Sequence, residues 1–174
     1  GYQKALKEAE KQGAELVEID LPDPVSVNVV GRLILLSEAS ALMERWLDRR
    51  KLFGSDVLAL LDQGRLIPAT DYINAQRLRR QFQREWAKVW NRIDFLFTPT
   101  VPIDAPLLDE GSVNGEDIRL ASTRLVRPFN VLGWPAVSIP LGNQGLRPAL
   151  QIVGRPFDEA GILEAACAIE RAFA

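Results

Sequence analysis

Gly133-Trp134-Pro135-Ala136-Val137-Ser138-Ile139-Pro140-Leu141-Gly142, with its return Gly145-Leu146-Arg147-Pro148-Ala149-Leu150-Gln151-Ile152-Val153-Gly154, is the stretch on which the fold turns. Residues 136–141 and 149–153 are short apolar runs. Gly142-Asn143-Gln144-Gly145 lies between them and suits a tight connection, so the pair is predicted to form an antiparallel hairpin. Downstream, Asp158 can cap a last helix whose buried stripe is Ile162, Ala166, Ile169 and Phe173. Upstream, the nearly continuous apolar run at 93–98 is stopped by Pro99, as suits a strand buried on both faces.

Further towards the amino terminus the period changes. Residues 2–12 read as a helix ended by Gly13, a residue free to take the left-handed conformation. Residues 14–21 alternate, with Leu16, Val17, Ile19 and Leu21 set among Glu15, Glu18 and Asp20. They read as an edge or near-edge strand ended by Pro22 and Pro24. A helix followed at once by a strand is half of a βαβ unit, so the chain is expected to begin inside a fold. Residues 25–50 form a long helical candidate with Val30, Ile34, Leu42 and Trp46 on one face, widened by Leu33, Leu36 and Leu47. Ser55 can cap a short helix closed by Gly64, and Thr70 can cap another running to about Arg92. Spacings of three and four dominate among the apolar positions of that helix, which include Ile73, Ala75, Leu78, Phe82 and Trp86. The expected architecture is α/β, a mixed β-sheet flanked by helices, with residues 1–174 forming one domain. The polar, Gly-containing stretch 109–117 is expected to be its most mobile part.

Composition narrows the chemistry. The chain has 174 residues, 47% hydrophobic and 25% charged, as in a globular protein. A net charge of −2 gives no electrostatic case for nucleic acid or membrane as the main partner. No apolar run approaches the roughly 20 residues that a membrane helix needs. The chain contains 0 histidines, which excludes Ser-His-Asp and Cys-His catalysis and the common Cys/His zinc sites. No motif for a cofactor or metal is present. Cys167 is the sole cysteine, which suits a cytoplasmic location.

Four groupings invite a functional reading, each beside a plainer one. Arg77, Arg80, Arg84 and Lys88 fall on one helical face and could meet phosphates; a solvated helix face explains them as well. Asp104 and Asp109 could do acid–base work, but no apolar surroundings separate their pKa values. Thr98-Pro99-Thr100 follows a buried strand, where ligands bind in open α/β sheets, and is also a loop stiffened by proline. Arg127-Pro128-Phe129-Asn130 with Gly133 and Pro135 forms either a site or a structural corner, with Asn130 satisfying backbone groups at the bend.

Taken in order, these motifs resemble the carboxy-terminal part of the amidase-signature family, which includes the glutamyl-tRNA(Gln) amidotransferase A subunit. The carrying residues are Asp94-Phe95-Leu96-Phe97-Thr98-Pro99-Thr100, Arg127-Pro128-Phe129-Asn130, the run from Gly133 through Gly142, and the return from Gly145 through Gly154 with Phe157-Asp158-Glu159. Asp71-Tyr72, Ala75 and Arg79 fit upstream, as do the opening helix and the segment that follows it. The resemblance implies hydrolysis or transfer of amide bonds by a serine nucleophile, a second serine with a cis peptide, and a lysine. That machinery belongs to the family's amino-terminal portion. The 7 serines of this chain lie in no Gly/Ser-rich tract and its 5 lysines have no matching partner, so no catalytic residue is assigned here.

By resemblance, Thr98, Thr100, Thr123, Phe129 and Asn130 would approach the substrate. Subunits that draw ammonia from glutamine carry an acidic residue where Thr123 falls, and arginines where Leu58, Ala59 and Leu60 stand. Neutral groups at both places favour a less polar amide over glutamine. The resemblance further implies, as partners, an amino-terminal portion of the same protein and a small amide substrate; a homodimer remains open. An interaction domain without catalysis is the alternative from a different class.

Overall fold

In the computed structural model, which describes residues 1–142 and 145–173, the chain divides into two compact units. One comprises residues 1–21 with 87–174, the other residues 22–86.

The first unit is built around the predicted hairpin. Strand β4 (Ala136–Pro140) pairs antiparallel with β5 (Ala149–Val153), Val137 facing Ile152 and Ile139 facing Leu150. Asn143 and Gln144 of the predicted connection lie outside the described residues. Strand β1 (Leu96–Pro99) pairs antiparallel with the other side of β5, giving the order β1-β5-β4. The expected two-sided burial therefore falls on β5, the central strand, where Leu150, Ile152 and Val153 are fully buried. β1 is an edge strand, and only Leu96 among its residues is buried.

Side chains alternate across a pleated sheet, so each strand divides its residues between two faces. Phe97, Val137, Ile139, Leu150 and Ile152 share one face. Against it pack Ala5 and Ala9 of helix α1 (Tyr2–Lys11) and Ile162, Ala166 and Ile169 of helix α7 (Glu159–Arg171). The Asp158 carboxylate caps α7 by accepting from the Gly161 amide, as the sequence predicts. Gly13 closes α1 at φ 94°.

Residues 14–21 depart from expectation. They run without a ladder, and no backbone hydrogen bond joins residues 15–21 to any other described residue. Alternation prepares a segment for pairing but supplies no partner. Leu16 and Val17 stay exposed, on the rim of a cleft shared with Phe95 and Phe97. The α/β reading stands; the ladders among the described residues form its antiparallel part.

The stretch at 109–117 carries structure that its polarity concealed. Strands β2 (Ser112–Val113) and β3 (Glu116–Asp117) pair around Asn114-Gly115, at φ 51° and 80°. Asn-Gly is the dipeptide best suited to such a turn. Helices α5 (Ile118–Thr123) and α6 (Arg127–Leu132) follow.

The second unit is helical: α2 (Pro24–Met43), a 3-10 stretch (Glu44–Leu52), α3 (Ser55–Arg65) and α4 (Ala69–Trp86). Val30 and Ile34 are buried against Ala75, flanked by Leu33, Tyr72 and Phe82. The predicted stripe fails at Leu42 and Trp46, which are exposed. The α-helix ends at Met43, and the Trp46 ring is instead covered by the Arg45 and Arg49 guanidinium groups, 5.3 and 5.6 Å from its centroid. Ser55 is the first helical residue and Gly54 the cap. Thr70 lies inside the first turn of α4, whose earliest bonds go from the Asp71 and Tyr72 amides to the Pro68 carbonyl. Contrary to expectation, the helical stretch Pro24–Leu52 contains an 18-residue window of mean hydropathy 1.4, long and apolar enough to cross a membrane by length and composition. Its apolar residues are dispersed rather than continuous, which hides them from a search for a single run. Core helices of soluble proteins meet the same criterion.

Gly64, expected to close α3, is buried within it. A Cβ there would lie 2.1 Å from both the Leu36 carbonyl oxygen and Ser40 Oγ. The glycine thus permits close approach of α2 and α3, where buried Ser40 donates to the Leu61 carbonyl at 2.6 Å. Gly64→Ala should cost about 1–3 kcal/mol, the range for overpacking. Exposed Gln63→Ala should stay within about 0.5 kcal/mol. Urea denaturation of both variants checks this, and equal midpoints would refute the close-approach role.

Candidate substrate wall

The second face of the sheet carries polar groups. Thr98, Gln151 and Ser138 form one row across β1, β5 and β4. Gln151 is buried and donates through Nε2 to Thr98 Oγ1 at 2.8 Å and to the Leu125 carbonyl at 3.1 Å. Thr100 Oγ1 and Ser138 Oγ lie 2.7 Å apart, and the Thr100 amide donates to the Ala149 carbonyl. Ser138 and Ala136 are exposed, so this face is open along β4 and covered over β5.

The cover comes from the chain around α5 and α6. Asp117 caps α5 by accepting from the Arg119 amide at 2.8 Å. Thr123 Oγ1 donates to the Arg119 carbonyl at 2.7 Å and accepts from Arg127 Nη2. Its hydroxyl proton is engaged by backbone and its oxygen by a cation. Phe129 is buried and stacks on Trp134, centroids 6.4 Å apart. Trp134 also meets Trp90 at 4.8 Å.

The corner after α6 is closed by backbone. Gly133 takes the left-handed conformation at φ 73°, and the Gly133 and Trp134 amides both donate to the Phe129 carbonyl. Asn130, expected to serve this bend, leaves it to Gly133. Its side chain is exposed and makes no hydrogen bond among the described residues.

Thr98 and Thr100, both half-buried, lie on this polar face, and Gln151 links Thr98 to the segment bearing Thr123. Asn130 presents a free carboxamide, whereas Phe129 forms part of the packing beneath. Thr100 also borders a cleft of about 690 Å³ lined by Asp104, Glu110, Ser122 and Arg147. Asp109 does not line it, so that cleft does not unite the two carboxylates considered above. Leu58, Ala59 and Leu60 belong to α3 in the other unit. Sequence reasoning missed Gln151 as a site residue. The available signal was a polar residue at the centre of the most apolar strand, which must find partners when buried.

The amidase family model matches residues 1–163. The chain belongs to the amidase family. An amidase of Pseudomonas putida is 39% identical over 178 residues, covering 97% of this chain and 38% of its own length. The glutamyl-tRNA(Gln) amidotransferase A subunit of Myxococcus xanthus is 31% identical over 195 residues, covering 97% and 40%. Among solved structures, a crystal structure of an amidase superposes with a TM-score of 0.88 at 26% identity, over 99% of this chain and 42% of that one. The chain thus spans about two fifths of the length of these relatives.

Helix α5 carries a pH-sensitive cap. Charge-assisted bonds from the Arg119 side chain, then from its amide, hold the Asp117 carboxyl at about 2 instead of the ordinary 3.8. A lowered folded-state pKa means the cap contributes fully above about pH 4 and is lost as pH falls through 2. The Asp117 carboxyl carbon should titrate near 2 by NMR, with loss of amide protection in α5 over the same range. A midpoint at the ordinary value would sink the cap.

Proposed function

We propose that this chain forms one wall of the substrate pocket of an enzyme that hydrolyses carboxylic amide C–N bonds to acid and ammonia or amine. The observation that carries the reading is the set of hydroxyls on the polar sheet face, half-buried Thr98 and Thr100 and exposed Ser138, in a chain that belongs to the amidase family. Such groups bind and orient an amide; none is an activated nucleophile. With 0 histidines and no lysine in the described hydroxyl network, no His or Lys base stands beside them. The serine, second serine and lysine implied by the resemblance would be supplied by an amino-terminal portion of the same protein.

The bond from Arg127 to Thr123 bears on the substrate. A glutamine-using subunit, by resemblance, holds the substrate ammonium with an acidic residue at the Thr123 position. Here a guanidinium occupies that neighbourhood and would repel an ammonium. Neutral aryl or alkyl amides fit better. The likeness to the amidotransferase subunit keeps a glutamine-dependent, tRNA-linked activity as the second reading.

The chain by itself should release no product from an anilide above a buffer blank. Joined to the residues that complete its relatives' length, it should hydrolyse the anilide. Its preference over glutamine should be about tenfold or more, the discrimination set by one misplaced charged hydrogen bond. Turnover by the chain alone would overturn the division of labour. Glutaminase activity stimulated by tRNA would favour the second reading.

A further inference from the structure

Gln151 is the one buried polar residue of β5, 3% exposed between Leu150 and Ile152 at 0%. A carboxamide in the middle strand of a sheet is costly unless its hydrogens are used. Both are. One N–H goes to Thr98 Oγ1 at 2.8 Å, the other to the Leu125 carbonyl at 3.1 Å. These partners lie 53 and 26 residues away in sequence, so one side chain ties together three separate parts of the wall.

The bond to Thr98 also has a direction. Its hydroxyl oxygen accepts from Gln151, and among the described residues the hydroxyl donates to none. The Thr98 proton therefore remains available for another acceptor. Leu125 lies between Thr123, at the end of α5, and Arg127, at the start of α6. Holding its carbonyl fixes the connection on which both residues depend.

We propose that Gln151 is a positioning residue of the substrate wall: it sets Thr98 as a hydrogen-bond donor toward the bound amide and clamps the α5–α6 connection onto the sheet. The consequence for substrate rests on the amide-hydrolysis reading above, whereas the clamp is a property of this chain alone.

Two measurements test the two halves. Amide hydrogen exchange on the chain tests the clamp. In Gln151→Met, residues 118–132 should exchange about tenfold faster, the scale of one lost hydrogen bond, while the β4–β5 ladder keeps its protection. Should that variant fail to fold, the isosteric Gln151→Glu is measured at neutral pH, where a carboxylate cannot donate to Leu125. Unchanged exchange at 118–132, or loss confined to the ladder, overturns the clamp.

Steady-state hydrolysis of an anilide by the polypeptide joined to its amino-terminal portion tests the Thr98 donor. Gln151→Glu should raise KM about tenfold with a smaller change in kcat, since a carboxylate would accept the Thr98 proton. The defect should shrink as pH falls and the carboxyl becomes a donor. Thr98→Val should match it, and the double variant should be no worse than either single one. Additive losses, or a defect independent of pH, overturn the donor role. Absence of turnover by the parent polypeptide on any amide tested would sink the amidase reading, while hydrogen exchange still decides the clamp.

Discussion

Burial of β5 on both sides is the constraint on which the first unit depends. Leu150 and Ile152 face α1 and α7, and each buried aliphatic side chain of this kind contributes about 1.5–3 kcal/mol. Gln151 and Val153 face the other way and are buried as well. A strand closed on both faces and paired along both edges cannot shift register without exposing its apolar set. β1, β4, α1, α7 and the α5–α6 connection all take their places from it.

The two faces do different work because their covers differ. The α1–α7 face is apolar and closed by two helices along its length. The opposite face is covered over β5 and left open along β4, where Ala136 and Ser138 are exposed. Its polar groups are tied to one another, Gln151 to Thr98 and Leu125 and Thr100 to Ser138, while the Thr98 hydroxyl proton has no acceptor among the described residues. A network held within the protein keeps its geometry before any ligand arrives, which is the property a binding wall needs.

What was legible in the sequence is what is decided locally. The hairpin of residues 136–153 declares itself through its two apolar runs and the glycines between them, and α7 through Asp158 and an apolar stripe. What was hidden depends on residues far away in the chain. Residues 14–21 alternate as a strand does, yet pairing is a contract between two segments, and among the described residues there is no second. Gly64 looks like a helix end until Leu36 and Ser40 of another helix come within reach. Trp46 follows the apolar period, but two neighbouring arginines shield its ring. Of the wall, the hydroxyls after the 93–98 run could be anticipated. Gln151 was visible in sequence as a polar residue in the most apolar strand, but what it holds could be named only once Thr98 and Leu125 were seen beside it.

Under the proposed reading, charge at the wall bears on substrate class. Thr123 is neutral in sequence, but in space its hydroxyl accepts from the Arg127 guanidinium. Two like charges about 4 Å apart repel by about 4 kcal/mol at the effective dielectric near a protein surface. An acidic residue at position 123 would reverse the balance by pairing with Arg127 before it could meet an ammonium. Converting this wall to one that holds glutamine would therefore require changing both residues together. Under the proposed reading, the pair Thr123 and Arg127 sets substrate class, while the row through Gln151 holds the groups that meet the amide.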